Sequence, residues 1–240
     1  MIRRAMALSL ALALGALLTL AVVSGCGSNV APSRGDSSSA AQIPLDTPSG
    51  GWYTNLLRNP GAEAGPGGTG GDVASIPGWT KHAHATVVLY GTAGFPGPLA
   101  PGPTGRGQKF FYGGHVQTGT PSVLDQFADV SWAATQIDSK LTRYTISAWI
   151  GGKGAQADSA RITLRFVDAG VSTLGEVNLA PVTAAERGNA TRFILRSRTG
   201  GVPSYTRYLW VFVKFLPGQD ADIHGFVDNL SLSLSPPPPT

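Results

Sequence analysis

Seven short runs of alternating apolar and polar residues, each bounded by Gly, Pro, Asp or Asn, constrain the fold of this chain more than any other feature. The runs are TVVLYG, QKFFYGG, RYTISAWIGG, ARITLRFVDAG, TRFILRSRTGG, RYLWVFVKFLPG and GFVDNLSLSLS. Alternation of this kind is typical of β-strands, because successive side chains of a strand point to opposite faces of the sheet. Seven or more such strands predict an all-β sandwich or barrel.

Composition and patterning agree with an all-β body. Glycine (32 residues) and proline (18 residues) are frequent, and only 13% of the residues are charged. No window keeps apolar residues at helical spacing over three turns, so helix is predicted to be minor. The alternation sends Ile162, Leu164 and Phe166 to the core, and in the last run it separates the leucines of residues 230–234 from a solvated serine face.

The N-terminal sequence MIRRAMALSLALALGALLTLAVVSGC indicates export, because two arginines precede a long Ala/Leu run that ends in small residues. The last four residues, VSGC, resemble a bacterial lipobox, whose cleavage would leave Cys26 to carry lipid. The alternative is that Cys26 is incidental to an ordinary secretory cleavage site. Cys26 is the single cysteine, so the chain can form no intramolecular disulfide and no cysteine metal site.

These signals divide the chain into four parts. We predict a lipoprotein signal peptide over residues 1–25, a lipid-anchored flexible linker over 26–51, a folded body over 52–235 and a proline-rich tail over 236–240. The linker has no aromatic residue and is rich in Ser, Gly, Ala and Pro, so it cannot bury enough apolar surface to fold. The prediction is an extracytoplasmic protein held at a bacterial membrane by its N-terminal lipid only.

The motifs NLLRNPGAEAG, IPGWT, QKFFYGG, ISAWIGG and FVDNLSLSL, in this order, resemble the galactose-binding-like jelly rolls that occur as carbohydrate-binding modules in secreted bacterial proteins. The resemblance covers residues 55–235 and implies a two-sheet jelly-roll β-sandwich. The opening turn departs from the family pattern, with Ala62 where an aromatic residue is usual and Pro60 beside the glycine.

The resemblance also implies a structural calcium ion. In such modules an acidic residue of the first turn and an aspartate of the last strand often meet at Ca²⁺, and Glu63 and Asp228 are the matching positions. Ca²⁺ takes six to eight oxygen ligands, and Gly/Pro-rich turns expose backbone carbonyls that supply them. The alternative is that Glu63 caps a turn and Asp228 accepts backbone amides without a metal.

The run RYLWVFVKF carries aromatic residues on one strand face and aliphatic residues on the other. Tyr208, Trp210 and Phe212 share the first face. Residues two apart on a strand are separated by roughly 6.6–6.8 Å, so the three rings would form a strip that can stack on sugar rings. The alternative is that a loop, or the segment before residue 60, covers the strip, because large exposed apolar patches are uncommon.

Arginines at alternate positions of two other runs suggest what would border this strip. Arg161 and Arg165 lie on one run, and Arg192 and Arg196 on another. If both strands share the sheet of the aromatic strip, guanidinium groups would edge it and favour an anionic glycan.

Two further ligand-binding candidates lie in loops. The segment 91–107 is too long and too rich in Gly and Pro for a hairpin, and its large side chains are Phe95 and Arg106. Trp79 in IPGWT is either a platform at a loop tip or a buried residue near the first strand.

Catalysis is the minority interpretation. Acid/base chemistry needs paired carboxylates in a cleft, and the acidic residues are scattered through turns, apart from a weak pair, Asp125 and Asp129, on one strand or loop. His82 and His84 would share a strand face and, with His115 or His224, could bind a transition metal. The formal net charge of +4 becomes +2 without the two arginines of the signal, too little to indicate nucleic-acid binding.

The sequence therefore predicts a non-catalytic, surface-tethered module that binds a polysaccharide or cell-surface glycan. The rival from another class is a structural or adhesive surface protein that contacts other proteins, and a glycan-active or metal-dependent enzyme ranks below both. The sequence carries no signal for the oligomeric state.

Overall fold

Residues 50–115, 120–218 and 221–236 are described by a computed structural model, and within them the chain forms ten β-strands and little helix. The strands, in chain order, are β1 Thr80–His82, β2 Thr86–Leu89, β3 Lys109–Tyr112, β4 Ser122–Asp129, β5 Arg143–Gly152, β6 Ser159–Val167, β7 Thr173–Leu179, β8 Arg192–Gly201, β9 Tyr208–Leu216 and β10 Gly225–Ser235. A 3₁₀ turn, Ser131–Ala133, leads into one short helix, α1 Ala134–Asp138.

The strands form two antiparallel five-stranded sheets. We name the sheet ordered β1-β4-β9-β6-β7 the front sheet and the sheet ordered β2-β3-β10-β5-β8 the back sheet. Their inner faces bury one large hydrophobic cluster. The predicted two-sheet jelly-roll β-sandwich is confirmed.

The alternation of the sequence sets the faces as expected. Ile162, Leu164 and Phe166 of β6 are buried between the sheets, and so are the leucines of residues 230–234 in β10. Their serine neighbours in β10 are partly exposed. All seven runs quoted above form strands.

A β-bulge in β10 changes which side chains face the core. The pairing of β10 with β5 shifts between Asp228 and Ser231, and Asn229 has a φ of 43°. Before the bulge, Phe226 packs with the aromatic residues on the outer side of the back sheet. After it, Leu230 faces the main core. The bulge therefore places the carboxylate of Asp228 on the outer side of the back sheet, where it accepts a hydrogen bond from Tyr90.

The strand that carries Arg192 and Arg196 does not border the aromatic strip, and that prediction is wrong. Strand β8 pairs with β5 at the edge of the back sheet, whereas β9 lies between β4 and β6 in the front sheet. Arg161 and Arg165, on β6, do lie beside the strip.

The start of the body pairs with its last strand. The backbone N–H groups of Tyr53 and Leu56 donate to the carbonyls of Leu234 and Leu232, each at 2.8 Å. The side chain of Asn55 strengthens this seam, because its Oδ1 accepts the N–H of Leu232 at 3.0 Å.

The predicted signal peptide, Cys26, nearly all of the linker and most of the proline-rich tail lie outside the described residues. In the part of the chain that is described, no helix has both the length and the apolar character needed to span a bilayer.

Candidate functional site

The aromatic strip lies on the outer face of the front sheet. Tyr208, Trp210 and Phe212 are half-buried there, and Phe127 of β4 joins them because it pairs with Trp210 in register. The Phe127 and Trp210 rings are stacked, with centroids 4.5 Å apart and planes 18° apart. The Phe212 centroid is 4.4 Å from that of Trp210. The result is a row of three contacting rings, Phe127, Trp210 and Phe212, with one side towards solvent.

A buried carboxylate fixes the orientation of the central ring. The Nε1 of Trp210 donates to Oδ2 of Asp125 at 2.9 Å, and Nε2 of His82 lies 2.6 Å from Oδ1 of the same carboxylate. Asp125 is only 6% exposed although it lies on the outer face. Because an indole N–H held by a carboxylate resists rotation, this contact preorganises Trp210.

A cleft of about 380 Å³ lies beside the aromatic row, over β9, β6 and β7. The residues that line it are Val123, Arg161, Thr163, Arg165, Glu176, Asn178, Phe212 and Lys214, of which six have polar or charged side chains.

The guanidinium of Arg165 lies over two rings of the row and also lines the cleft. Its guanidinium carbon lies 4.8 Å from the Phe212 ring centroid and 5.9 Å from that of Trp210, and its Nε donates to Glu176 at 2.7 Å. The hydrogen bond from Arg165 is the main reason why the pKa of Glu176 lies below its usual value. The cleft therefore combines an apolar surface with fixed hydrogen-bonding groups, which is the composition of a small-ligand site.

Trp79 is not a platform, and the structure removes it as a ligand-binding candidate. It is 7% exposed, its ring packs on Phe111 with centroids 5.4 Å apart, and its Nε1 donates to the carbonyl of Asn59 at 3.1 Å. The physical reason is that the IPGWT turn folds back onto the opening turn, so the indole enters the main core.

Phe95 and Arg106, both predicted ligand contacts, are half-buried and help to hold the loop 91–107 in place. Phe95 packs edge-on against Tyr112, with centroids 4.9 Å apart. The guanidinium of Arg106 donates to the carbonyls of Pro103 and Ala100 at 2.9 and 2.7 Å, and its carbon lies 5.0 Å from the centroid of the Tyr90 ring. Both side chains therefore make contacts within the protein that fix the position of the loop.

Glu63 and Asp228 lie close together beside Gly61. A Cβ built on Gly61 would lie 3.4 Å from Oδ1 of Asp228, 3.1 Å from Oδ1 of Asn229 and 3.9 Å from Cγ of Glu63. The predicted meeting of the opening turn with the last strand is therefore observed.

The two carboxylates already accept hydrogen bonds from protein. Oε1 of Glu63 accepts the backbone N–H groups of Gln108 and Lys109 at 3.0 and 2.9 Å. Asp228 is completely buried, and it accepts the hydroxyl of Tyr90 and the N–H of Asn229, each at 2.7 Å. Glu63 thus ties the opening turn to the start of β3, which explains an acidic residue in a turn rich in Gly and Pro.

The environment of Asp228 favours its protonated form. Burial raises its pKa to about 7, the hydrogen bonds from Tyr90 and Asn229 work against that rise, and the charge of Glu63 adds to it. Burial also raises the pKa of Tyr90, and the neighbouring Asp228 carboxylate raises it further.

The histidines contact different carboxylates, except that two of them meet at Asp222. His82 contacts Asp125, and His84 lies 3.7 Å from a carboxylate oxygen of Asp72. His115 and His224 lie 2.5 and 4.0 Å from the two carboxylate oxygens of Asp222. Within the three described ranges, no group of three or more His, Cys, Asp or Glu residues could hold a metal ion.

No protein-family model matches this chain, and no curated protein matches it in sequence. Solved structures do match its fold. A cyclase from Fischerella sp. TAU, in complex with 4-(1H-indol-3-yl)butan-2-one, aligns with 78% of this chain and 99% of its own, at 16% identity and a TM-score of 0.53.

Two other structures are similar at lower scores. The carbohydrate-binding module TmCBM61, in complex with β-1,4-galactotriose, aligns with 74% of this chain and 97% of its own, at 16% identity and a TM-score of 0.43. Tailspike protein 4 of bacteriophage CBA120 aligns with 76% of this chain at 14% identity and a TM-score of 0.46, and the alignment spans only 22% of the tailspike chain.

These likenesses concern the fold. The two antiparallel sheets are consistent with the galactose-binding-like jelly roll that the motifs predict. At such identities the function has to be argued from the site itself.

Proposed function

We propose that this protein is a non-catalytic glycan-binding module and that its binding surface is the outer face of the front sheet. The observation that carries the proposal is the half-buried row formed by Phe127, Trp210 and Phe212, which lies beside a cleft lined by polar and charged residues and has its central indole fixed by Asp125. Its expected ligand is a polysaccharide or a cell-surface glycan.

The chemistry of a sugar ring matches both halves of this surface. One face of a pyranose ring is mainly C–H groups, which aromatic rings remove from water, while its hydroxyls both donate and accept hydrogen bonds. Asn178 and Thr163 offer groups of both kinds, and Glu176 and Arg165 form a planar ion pair at the side. The surface is shallow and lies on rigid strands, so it suits a polymer that passes across it.

The same geometry disfavours a catalytic role. The carboxylate nearest to the aromatic row is Asp125, and both of its oxygens are engaged, one by Trp210 and the other by His82. Glu176 is held by Arg165 with a lowered pKa, which makes it a poor general acid near neutral pH. The cyclase similarity shows a shared fold, and a reaction would need a free acid or base in this cleft.

The direct test is isothermal titration of residues 50–240 with a panel of soluble neutral and acidic polysaccharides. We expect at least one polysaccharide to bind, and Trp210→Ala to weaken binding about ten-fold or more, as truncation of a central aromatic contact does. Tyr205→Ala is the matched control, because Tyr205 is an exposed aromatic residue outside the cleft lining. Absence of binding across the panel contradicts the proposal.

The rival function, adhesion to proteins, has a different signature. In that case the polysaccharides leave the protein unaffected, and Trp210→Ala abolishes capture of the protein by a surface that carries the partner. Release of product from any polysaccharide in the panel would instead indicate catalysis and would contradict the non-catalytic part of the proposal.

Calcium between Glu63 and Asp228 is the second part of the proposal. Carboxylate and amide oxygens of Asp228 and Asn229 lie beside Gly61, and the side chain of Glu63 passes within reach of the same glycine, so these residue types could supply oxygen ligands to a hard cation. The bound ion would supply positive charge that offsets the repulsion between the two carboxylates. Backbone carbonyls would have to complete its shell, since Glu63 and Asp228 are the carboxylates that meet there.

Thermal unfolding with and without Ca²⁺ tests this part. We expect Ca²⁺ to raise Tm, a chelator to reverse the rise, and Glu63→Gln to remove most of it. Glu186→Gln removes one acidic side chain from a different loop and should leave the response to Ca²⁺ intact. A Tm that does not respond to Ca²⁺ contradicts the calcium site and leaves the glycan site in place.

We extend the proposal to the location of the protein. An acylated Cys26 would tether the body outside a bacterial cytoplasmic membrane through lipid alone. Fractionation of cells that express the full chain and its Cys26→Ala variant tests this, with the wild type expected in the membrane fraction and the variant in a soluble fraction. Equal partition of the two would contradict lipid anchoring.

A further inference from the structure

Two like charges face each other at one end of the cleft. Arg161 of β6 and Lys214 of β9 are partners in register, and both line the cleft with exposed side chains. Like charges directly opposite each other on neighbouring strands destabilise a sheet. The front sheet therefore holds a locally unfavourable pair on the face that carries the candidate binding site.

Among the described residues, Arg161 and Lys214 take part in none of the ion pairs. The charge of Arg161 acts on Glu176 only at longer range, where it helps to lower the pKa of that carboxyl. Glu176 is the one acidic residue that lines the cleft, and it hydrogen-bonds Arg165 instead. The cleft lining thus has three cationic side chains and one carboxylate, a net charge of +2.

The charge pair lies within reach of the aromatic row. Lys214 is two residues from Phe212 on the same strand face, a separation of roughly 6.6–6.8 Å between backbones. Arg161 stands two residues from Thr163, which pairs with Phe212 across β6 and β9. A sugar unit stacked on Phe212 would therefore bring its substituents to the two cationic groups.

We infer that the cleft selects an anionic glycan, with Arg161 and Lys214 receiving a carboxylate or sulfate group of the sugar. This inference rests on the proposed glycan-binding function and adds the class of ligand. A guanidinium and an ammonium together match an oxyanion, since Arg donates in a fixed fork and Lys donates as a mobile point charge. The anion would supply the counter-charge that the protein does not.

Paired polysaccharides test the inference without changing the polymer backbone. Polygalacturonate is compared with its carboxyl-reduced form, and a sulfated galactan with its desulfated form. We expect at least one acidic polymer to bind about ten-fold or more tightly than its neutral counterpart at low salt. That advantage should shrink at about 0.15 M salt, because the charges are exposed to solvent. The pair of polymers with the larger ratio of acidic to neutral affinity tells whether the site takes a carboxylate or a sulfate.

Charge-removal variants locate the effect. We expect Arg161→Gln/Lys214→Gln to abolish the preference for the acidic polymer and to leave the affinity for the neutral polymer within about two-fold. Arg143→Gln/Arg198→Gln is the control, because it removes two exposed charges from the back sheet and should keep the preference. The Arg161→Gln variant should also unfold at a slightly higher temperature, since it removes a like-charge contact.

The outcomes separate the inference from the function on which it rests. Equal binding of acidic and neutral polymers overturns the inference and leaves glycan binding in place. A preference that survives Arg161→Gln/Lys214→Gln, or that disappears equally in the control variant, also overturns it. Failure of every polysaccharide to bind overturns the glycan-binding function together with the inference.

Discussion

The outer faces of the two sheets both carry aromatic residues, yet most of those on the back sheet are buried. Four of them are at most 3% exposed, namely Phe110, Tyr112, Phe193 and Phe226, and Tyr90 and Trp149 pack against these four while partly buried. On the front sheet Trp210 and Phe212 stay half-buried beside a cleft. The comparison shows that aromatic residues at alternate strand positions do not by themselves identify a binding surface.

The difference between the faces lies in the loop 91–107. Phe95 enters the aromatic cluster of the back sheet, and the N–H of Phe193 donates to the carbonyl of Pro101 at 3.0 Å. Arg106 holds the loop by its carbonyls. A long loop rich in Gly and Pro thus covers the aromatic cluster of the back sheet, and it leaves uncovered the face on which we propose glycan binding.

The largest expected effect comes from the covered face. Phe226→Ala should lower the free energy of unfolding by about 3–5 kcal/mol, because it leaves a cavity under the loop. Phe212→Ala on the open face should cost only about 1 kcal/mol, because its ring is partly in water already. Urea denaturation of the two variants measures the contrast.

Glycan titration of the same two variants tests the contrast between the two faces further. Phe212→Ala should lose affinity, while any folded fraction of Phe226→Ala should bind as the wild type does. Equal losses of stability in the two variants would mean that both faces are covered, and the comparison would fail.

The next effect is the pH dependence of stability that the buried carboxyl of Asp228 causes in protein free of divalent cations. The pKa of Asp228, at about 7, lies above the ordinary value of about 3.9, so the folded state holds the proton more tightly than the unfolded chain does. Its contribution to stability is therefore complete below pH 4 and is lost as the pH rises through 7. The expected loss is on the order of 3–4 kcal/mol, measured by chemical denaturation across this range in chelator.

An isosteric variant identifies the group responsible. Asp228→Asn should flatten the stability profile between pH 4 and 7, since the amide does not titrate there. Asp168→Asn makes the same exchange at a half-buried turn residue outside this cluster and serves as the matched control. A profile that keeps its slope in Asp228→Asn would assign the pH dependence to another group.

A smaller loss of stability is expected when the hydrogen bonds that Arg106 makes to the loop 91–107 are removed. Arg106→Gln removes donors to the carbonyls of Pro103 and Ala100 and should cost about 1–3 kcal/mol. Hydrogen exchange over residues 91–107 should accelerate while glycan affinity stays the same. A fall in affinity would show that this loop, and not only the front sheet, contacts the ligand.

The smallest effect should come from the residue that orients the open face. Asp125→Asn keeps an acceptor for the indole of Trp210, so affinity should fall by no more than about three-fold, whereas Asp125→Ala should weaken binding about ten-fold. Titration with a polysaccharide that binds the wild type measures both. Identical affinities in all three proteins would mean that Asp125 does not position the ring.

Strand positions followed from the sequence wherever alternation was regular. Strand β4 was the main omission, because SVLDQFAD buries three polar residues, Ser122, Asp125 and Gln126, and the last two interrupt its apolar pattern. Gln126 faces inward and exchanges hydrogen bonds with the backbone of Arg58, and Asp125 is shielded by His82 and Trp210. Burial of both depends on partners distant in the chain, which periodicity does not reveal.

The site was predicted in part for the same reason. The positions of Trp210 and Phe212 on one face followed from the alternation within a single strand. Phe127 and Asp125 join them only because β4 pairs with β9. Large apolar side chains in loops do not by themselves indicate ligand contacts, because Trp79 and Phe95 pack against the protein where the local turn directs them inward. Sequence gives the size of such a residue, and tertiary contacts decide its direction.

The seam between the start of the body and β10 has a practical consequence. Because the N–H of Tyr53 donates to the carbonyl of Leu234, the chain enters and leaves the body at one spot. A domain whose ends adjoin can be spliced into a surface loop of another protein, or rejoined end to end and reopened elsewhere, without stretching its backbone. This jelly roll is therefore suited to use as an exchangeable part in an engineered multidomain chain.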